Sequence, residues 1–299
     1  MRQNRIVLLF AAVAILLVSC GTSRTVPITG RTQHLMVDNQ QVLSLSNQQY
    51  QQYMKSAVPS TNATSTAMVK RCGQRLAAAV ENYLRNNGMA NELSEYSWEF
   101  NLVRDQNINA FCMPGGKIVV FEGLLPVTKD ESSLAIVLGH EIAHAVAKHS
   151  AERMSSQVRQ QYGVGIIGAV AQGAGVSSGV QKLGSVALGT GLQALNSGFS
   201  RSQESEADHL GLIFAAMAGY DPRVATDFWQ RMAASTGGGS NSIFSDHPSD
   251  ATRIKNIQGW MTEALRYYNP SGSVTSSAHP KVAEPKTVGE FRVSTKKRK

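Results

Sequence analysis

The sequence lacks the marks of several large protein classes. Its three cysteines, Cys20, Cys72 and Cys112, are far apart, so no zinc-finger spacing is present. No RNP-like motif or basic recognition helix occurs, which argues against nucleic acid as a partner despite a formal charge of +8. The absence of any period of 30 to 45 residues excludes a helical-repeat array. Apolar runs are short. The stretch 163–199 is rich in Gly, Ala, Val and Leu but is broken by glycine and polar residues, so it reads as loosely packed helices rather than a membrane hairpin, and as a mobile cover over a site.

What is there suffices for one sizeable core: 42% of the residues are hydrophobic and 17% charged. The N-terminus has Arg2 and Arg5, an apolar run from Ile6 to Val18, and then Ser19-Cys20-Gly21. A charged start, an apolar stretch too short to span a bilayer and a small residue before the break make a secretory signal over 1–19. Leu17-Val18-Ser19-Cys20 resembles a bacterial lipobox, with Cys20 the lipidated first residue of the mature chain; an uncleaved anchor is the alternative. Gly21 in place of Asp points to the outer membrane, facing the periplasm. Without Arg2 and Arg5 the chain has 27 basic and 21 acidic residues, and much of the excess lies in a Pro/Ser/Gly-rich basic tail over 269–299, expected to be disordered. Cys72 and Cys112 would then lie in an oxidising compartment, and whether they pair is left open.

The pattern between these ends is α+β and mostly helical. Residues 20–38 read as a tether and 39–268 as one domain. Helices are expected over 39–56 and 64–87, the second ending at Gly88. Alternation at Trp98, Phe100 and Leu102 predicts a strand, and two more flank Pro114-Gly115-Gly116. Thr128 to Glu131 has the spacing of a capping box, opening a helix that continues to Met154. Further helices start near Arg201, at Asp221-Pro222 and after His247-Pro248, the last with Ile254, Ile257, Met261 and Leu265 on its buried side.

The chemistry-bearing stretch is LGHEIAHAVAKH, residues 138–149. Positions i and i+4 of a helix lie one above the other, so His140 and His144 can present two imidazole nitrogens to one ion. Glu141 projects at a neighbouring angle, placed to accept a proton from a metal-activated water rather than to ligate. A catalytic zinc needs a third protein ligand, and a histidine six residues after His144 is not available because residue 150 is Ser. The remaining option is a carboxylate from another helix: Glu204, with Asp208 one turn on to accept the free N–H of a ligand histidine. Glu206 points to another face and is the weaker candidate, and Glu204 as a solvated helix charge is the alternative. His34, His149, His209 and His279 read as ordinary polar residues.

The order of HEIAH and SRSQESEAD, preceded by NAFCMPGG and followed by DHPSDATRI, resembles the zinc metallopeptidase family that includes HtpX, the type I CAAX prenyl protease, Oma, BepA and LoiP. The resemblance covers most of residues 30–265. It implies a gluzincin fold with a small sheet on the HExxH helix, one Zn2+ held by His140, His144 and Glu204, Glu141 as base and Asp208 behind the ligands. It further implies that Asn109 and Ala110 hold substrate backbone by strand addition, and that His247 approaches the metal to aid catalysis or keep the enzyme latent, a helix-capping loop histidine being the alternative. Multi-span and tetratricopeptide segments of some members are missing, so the single-domain periplasmic lipoproteins (LoiP-like) are most similar and docking to an assembly machinery is in doubt. The expected function is a zinc endopeptidase that cleaves misfolded or unassembled envelope proteins; the rival is a lipoprotein chaperone or assembly factor that binds in the groove and cleaves little.

Overall fold

Two helices that cross at a pair of glycines position the rest of the molecule. The computed structural model describes residues 22–171, 198–236 and 250–270. The element order is strands β1 (Thr22–Thr25) and β2 (Thr32–Leu35), helices α1 (Asn39–Ser56) and α2 (Ala63–Asn86), and strands β3 (Glu99–Val103), β4 (Ala110–Met113) and β5 (Lys117–Phe121). Helices α3 (Glu131–Val146), α4 (His149–Ala171), α5 (Arg201–Met217), α6 (Val224–Thr236) and α7 (Asp250–Tyr267) follow. The α+β, mostly helical class expected from the sequence is the observed one. Among the described residues no helix is long and apolar enough to cross a membrane.

Helix α3 is apolar on all sides and buried almost from end to end, as its sequence SSLAIVLGHEIAHAV requires of a central element. It crosses α5 where Gly139 meets Gly211. A Cβ on Gly139 would stand 2.6 Å from the Gly211 carbonyl oxygen, and one on Gly211 would stand 2.5 Å from the His140 nitrogen. Only hydrogen fits at either position, so the two backbones touch.

The three-stranded sheet has the order β3-β5-β4, with β3 parallel and β4 antiparallel to β5. All five residues of β5 are buried, because both faces of the sheet are covered. Phe100, Leu102, Ile118 and Val120 face the main core with α2 and α3, while Val103, Val119 and Phe121 join Tyr50 of α1 on the other side. Strand β4 is an edge of this sheet and lies along α3.

Several boundaries differ from the sequence expectation. Within the expected tether, β1 and β2 form an antiparallel hairpin packed on the domain. The Thr128 capping box does not form: Lys129 adopts φ 65°, Asp130 is the N-cap that accepts from the Ser133 N–H at 2.7 Å, and the Glu131 carboxylate goes to Arg71 and Tyr220 instead. A capping box does form at the start of α5, between Ser200 and Gln203. Leu265 is 39% exposed, and Arg253, Ile257 and Ala264 are the buried residues of α7. Cys72 and Cys112 are separate free thiols. The expected signal segment with Cys20, most of the expected cover, His247, and all but the first residues of the basic tail lie outside the described residues.

Candidate metal centre

Helices α3 and α5 each bring one i, i+4 pair to their crossing. His140 and His144 project from α3, Glu204 and Asp208 from α5, and all four side chains are buried. One ligand atom from each of His140, His144 and Glu204 lies within 4.8 Å of the others, the one such grouping of three among the described residues. The Nε2 atoms of His140 and His144 are 3.0 Å apart. Glu204 Oε2 is 3.3 Å from His140 Nε2, and Glu204 Oε1 is 3.7 Å from His144 Nε2. Two ligands of one tetrahedral ion at 2.0 to 2.1 Å stand about 3.3 Å apart, so the three separations bracket what such an ion needs.

The remaining hydrogen bonds engage the Nδ1 atoms of both histidines and leave both Nε2 atoms facing the cluster. Asp208 Oδ1 accepts from His140 Nδ1–H at 2.9 Å, and Asp208 Oδ2 accepts from Arg253 Nε at 2.6 Å. Burial works against the Asp208 carboxylate, but Arg253 and His140 keep its pKa below the ordinary value, so it is an acceptor and the His140 proton sits on Nδ1. On the other ligand, His144 Nδ1 is 2.9 Å from His149 Nδ1, and His149 Nε2 is 3.0 Å from Glu206 Oε2. Burial would raise the Glu206 pKa, yet bonds from His149, Arg31 and Thr29 hold it at about 2. Glu206 therefore accepts from His149 Nε2–H; His149, neutral because burial lowers its pKa, then accepts at Nδ1 from the His144 N–H. Both Nε2 atoms face the Glu204 carboxylate, a convergence that a cation satisfies. The site also favours positive charge: burial opposes a charged His140, but Asp208 and Glu204 outweigh it and raise its pKa to about 10, so at neutral pH its Nε2 carries a proton whose place a metal ion takes.

Glu141 stands beside this cluster without joining it. Burial, helped by Glu204, raises its pKa to about 7, and its carboxylate accepts from the Cys112 backbone N–H of β4. A carboxyl group with that pKa can both take and return a proton near neutral pH. Asn109 and Ala110 lie at the start of β4. The Asn109 carbonyl accepts from Phe121 N–H at 3.0 Å, and Ala110 pairs with Val120. Antiparallel alternation then turns the backbone groups of Ala110 and Cys112 away from β5, toward the edge that no other strand covers among the described residues.

Four participants were not expected in these places. His149, read as an ordinary polar residue a further 100° round the helix, lies instead behind His144, because the chain breaks at Lys148 with φ 52° before α4 begins. Glu206, read as facing elsewhere, does face away from the ligand atoms but holds His149. Arg253 is fully buried, bonds Asp208 and stacks 3.7 Å above the Trp229 ring. Its sequence signal was a basic residue on the apolar side of α7. Phe199 adds a ring stacked on His144 at 4.0 Å.

Two buried histidines one helical turn apart, a carboxylate from a second helix and a proton-accepting glutamate define the class as a metallopeptidase. The model of Peptidase family M48 matches residues 70–261, and the chain belongs to that family, whose peptidases are metal-dependent. It is similar to the mitochondrial metalloendopeptidase OMA1 of Schizosaccharomyces pombe, 41% identical over 174 residues that make up 58% of this chain and 49% of that one. The human mitochondrial metalloendopeptidase OMA1 is 30% identical, covering 80% of this chain and 46% of its own. The putative beta-barrel assembly-enhancing protease of Vibrio cholerae is 34% identical, covering 45% of this chain and 28% of its own. The chain thus spans about half the length, or less, of these relatives.

Proposed function

We propose that this protein is a zinc-dependent endopeptidase. The single observation that carries this reading is the convergence of His140, His144 and Glu204, from two helices, beside a Glu141 that takes no part in ligation. The donor set of two imidazoles and one carboxylate suits zinc, and it leaves a fourth position open. When bound, zinc activates water as a nucleophile near neutral pH and polarises the scissile carbonyl. Asp208 and Arg253 keep His140 in the tautomer that offers Nε2. Glu141 accepts the proton of the attacking water and returns it to the leaving amine. The outer edge of β4, through the Ala110 backbone groups and the Cys112 carbonyl, bonds the substrate backbone as an added strand, which positions an extended peptide beside Glu141 with affinity supplied by main-chain bonds.

Such a site suits unfolded or unassembled chains, whose backbones are free to pair with an edge strand. Relatives named as a metalloendopeptidase and as a beta-barrel assembly-enhancing protease support a role in protein quality control. The lipobox-like Leu17-Val18-Ser19-Cys20 supports a place in the cell envelope, lipid-anchored and facing the periplasm. Mass spectrometry of the mature chain tests the anchor: a lipid-modified N-terminal Cys20 is expected, and an intact Met1 would contradict it. For the activity, the full chain is expected to cleave casein, to lose cleavage on treatment with phenanthroline and to regain it with about one equivalent of zinc. Cleavage that persists in the metal-free protein would overturn the zinc reading.

A further inference from the structure

The bonds behind the two histidines are parallel in design. His140 meets an arginine-clamped carboxylate directly, Asp208 with Arg253. His144 meets one through an inserted imidazole, by way of His149 to Glu206 and Arg31. Every acceptor position in the second chain is filled. Glu206 Oε2 accepts from His149 Nε2 at 3.0 Å and from Arg31 Nη2 at 2.7 Å, and Oε1 accepts from Thr29 Oγ1 at 2.7 Å. Arg31 reaches on to Glu152 with Nη1 at 2.5 Å, and Glu152 is itself held by Gln33 and Gln203.

This polar chain is costly to bury, and its orientation gives it a use. His149 is fully buried and the Glu206 side chain only 7% exposed, a setting in which apolar residues would serve packing equally well. What apolar residues cannot supply is direction. An anionic Glu206 fixes the proton of His149 on Nε2, so His149 Nδ1 accepts, so the His144 proton sits on Nδ1 and its Nε2 is bare. Arg31 and Thr29 belong to the hairpin that precedes the part of the chain matched by the family model.

We propose that Arg31, Glu206 and His149 are positioning residues for the metal site, a relay through which the N-terminal hairpin sets the tautomer and orientation of His144. The inference rests on the metallopeptidase reading. Loss of a partner behind a ligand histidine costs about 10- to 100-fold in metal affinity.

The test compares zinc affinity, by competition with a chromophoric chelator, and the visible spectrum of the cobalt-loaded chain, using full-length protein throughout. His149→Leu is expected to weaken zinc binding by about 10- to 100-fold and to change the cobalt bands, and Arg31→Ala, two bonds further from the ligand, to weaken it in the same direction by a smaller factor. His149→Gln can accept from His144 and donate to Glu206, so it is expected to restore most of the affinity. The double variant should bind no more weakly than His149→Leu alone, because both changes break one chain. Leu35→Ala is the control on the same hairpin: the Leu35 side chain packs with Val42, Ala151 and Met154 and makes no polar contact with the relay. It is expected to lower the unfolding midpoint of the metal-free protein while leaving zinc affinity within about twofold of wild type. Arg31→Ala or His149→Leu binding zinc like wild type, or Leu35→Ala losing as much affinity as Arg31→Ala, overturns the relay. Should Arg31→Ala not fold, the contrast of Leu with Gln at position 149 decides, equal affinities counting against the proposal. A wild-type chain that holds no zinc overturns the metallopeptidase reading itself, whereas normal wild-type binding with unaffected relay variants overturns this inference alone.

Discussion

Glu141→Gln is expected to lower peptide hydrolysis by about 10²- to 10⁴-fold while leaving the bound metal in place. Glutamine has nearly the same shape and keeps an oxygen to accept from the Cys112 backbone N–H, so the packing of β4 against α3 is preserved. It cannot take up a proton. The wild-type carboxyl, raised to about 7 by burial, is matched to that task at neutral pH. Steady-state cleavage of a fluorogenic peptide, measured beside metal content, gives the answer. Cleavage within a few-fold of wild type would remove Glu141 from the reaction. The same variant separates the endopeptidase from a chaperone that uses the groove only for binding: capture of unfolded chains without their cleavage is expected, and an unimpaired cellular function would favour the chaperone.

The second large effect is expected at the helix crossing. Gly211→Ala puts a methyl group 2.5 Å from the His140 nitrogen, against backbone that has no flexible side chain to move aside. The helices must separate, which costs about 1 to 3 kcal/mol for overpacking. The same shift draws Glu204, two turns upstream on α5, away from the histidines, so zinc affinity and cleavage fall with stability. Gly259→Ala on α7 is the contrast, since its Cβ meets nothing within 4 Å. Alanine there is expected to stabilise by up to about 1 kcal/mol through helix propensity alone. Thermal unfolding and zinc titration of the two variants measure both effects. A Gly211→Ala chain that melts and binds zinc like wild type would show that the crossing does not set the ligand spacing.

The histidine pair, Glu141 and the Glu204, Asp208 pair were legible because helical periodicity alone places them on shared faces, and the structure brings them together. The support behind His144 was not. The break at Lys148 has no glycine or proline to announce it. It is held by distant partners: Lys148 Nζ lies 2.6 Å from Glu95, Gln33 bonds the Ala147 carbonyl, and Arg24 bonds that of Val146. A helix continued through 147 and 148, as local propensity suggests, carries His149 away from His144. Arg253 was hidden for a related reason. Its charge is neutralised by Asp208 and covered by Trp229, neither of them near it in sequence. The hairpin at 22–35 looked like a tether because its strands are four residues each and largely polar, and its docking depends on ion pairs to Glu92, Glu152 and Glu206.

The most direct measurement is anomalous diffraction at the zinc absorption edge from crystals of the zinc-loaded chain. A single peak is expected among His140 Nε2, His144 Nε2 and the Glu204 carboxylate, about 2.0 to 2.2 Å from each. A zinc-loaded crystal with no peak there, or with its peak on other residues, would contradict the metal centre and the peptidase built on it.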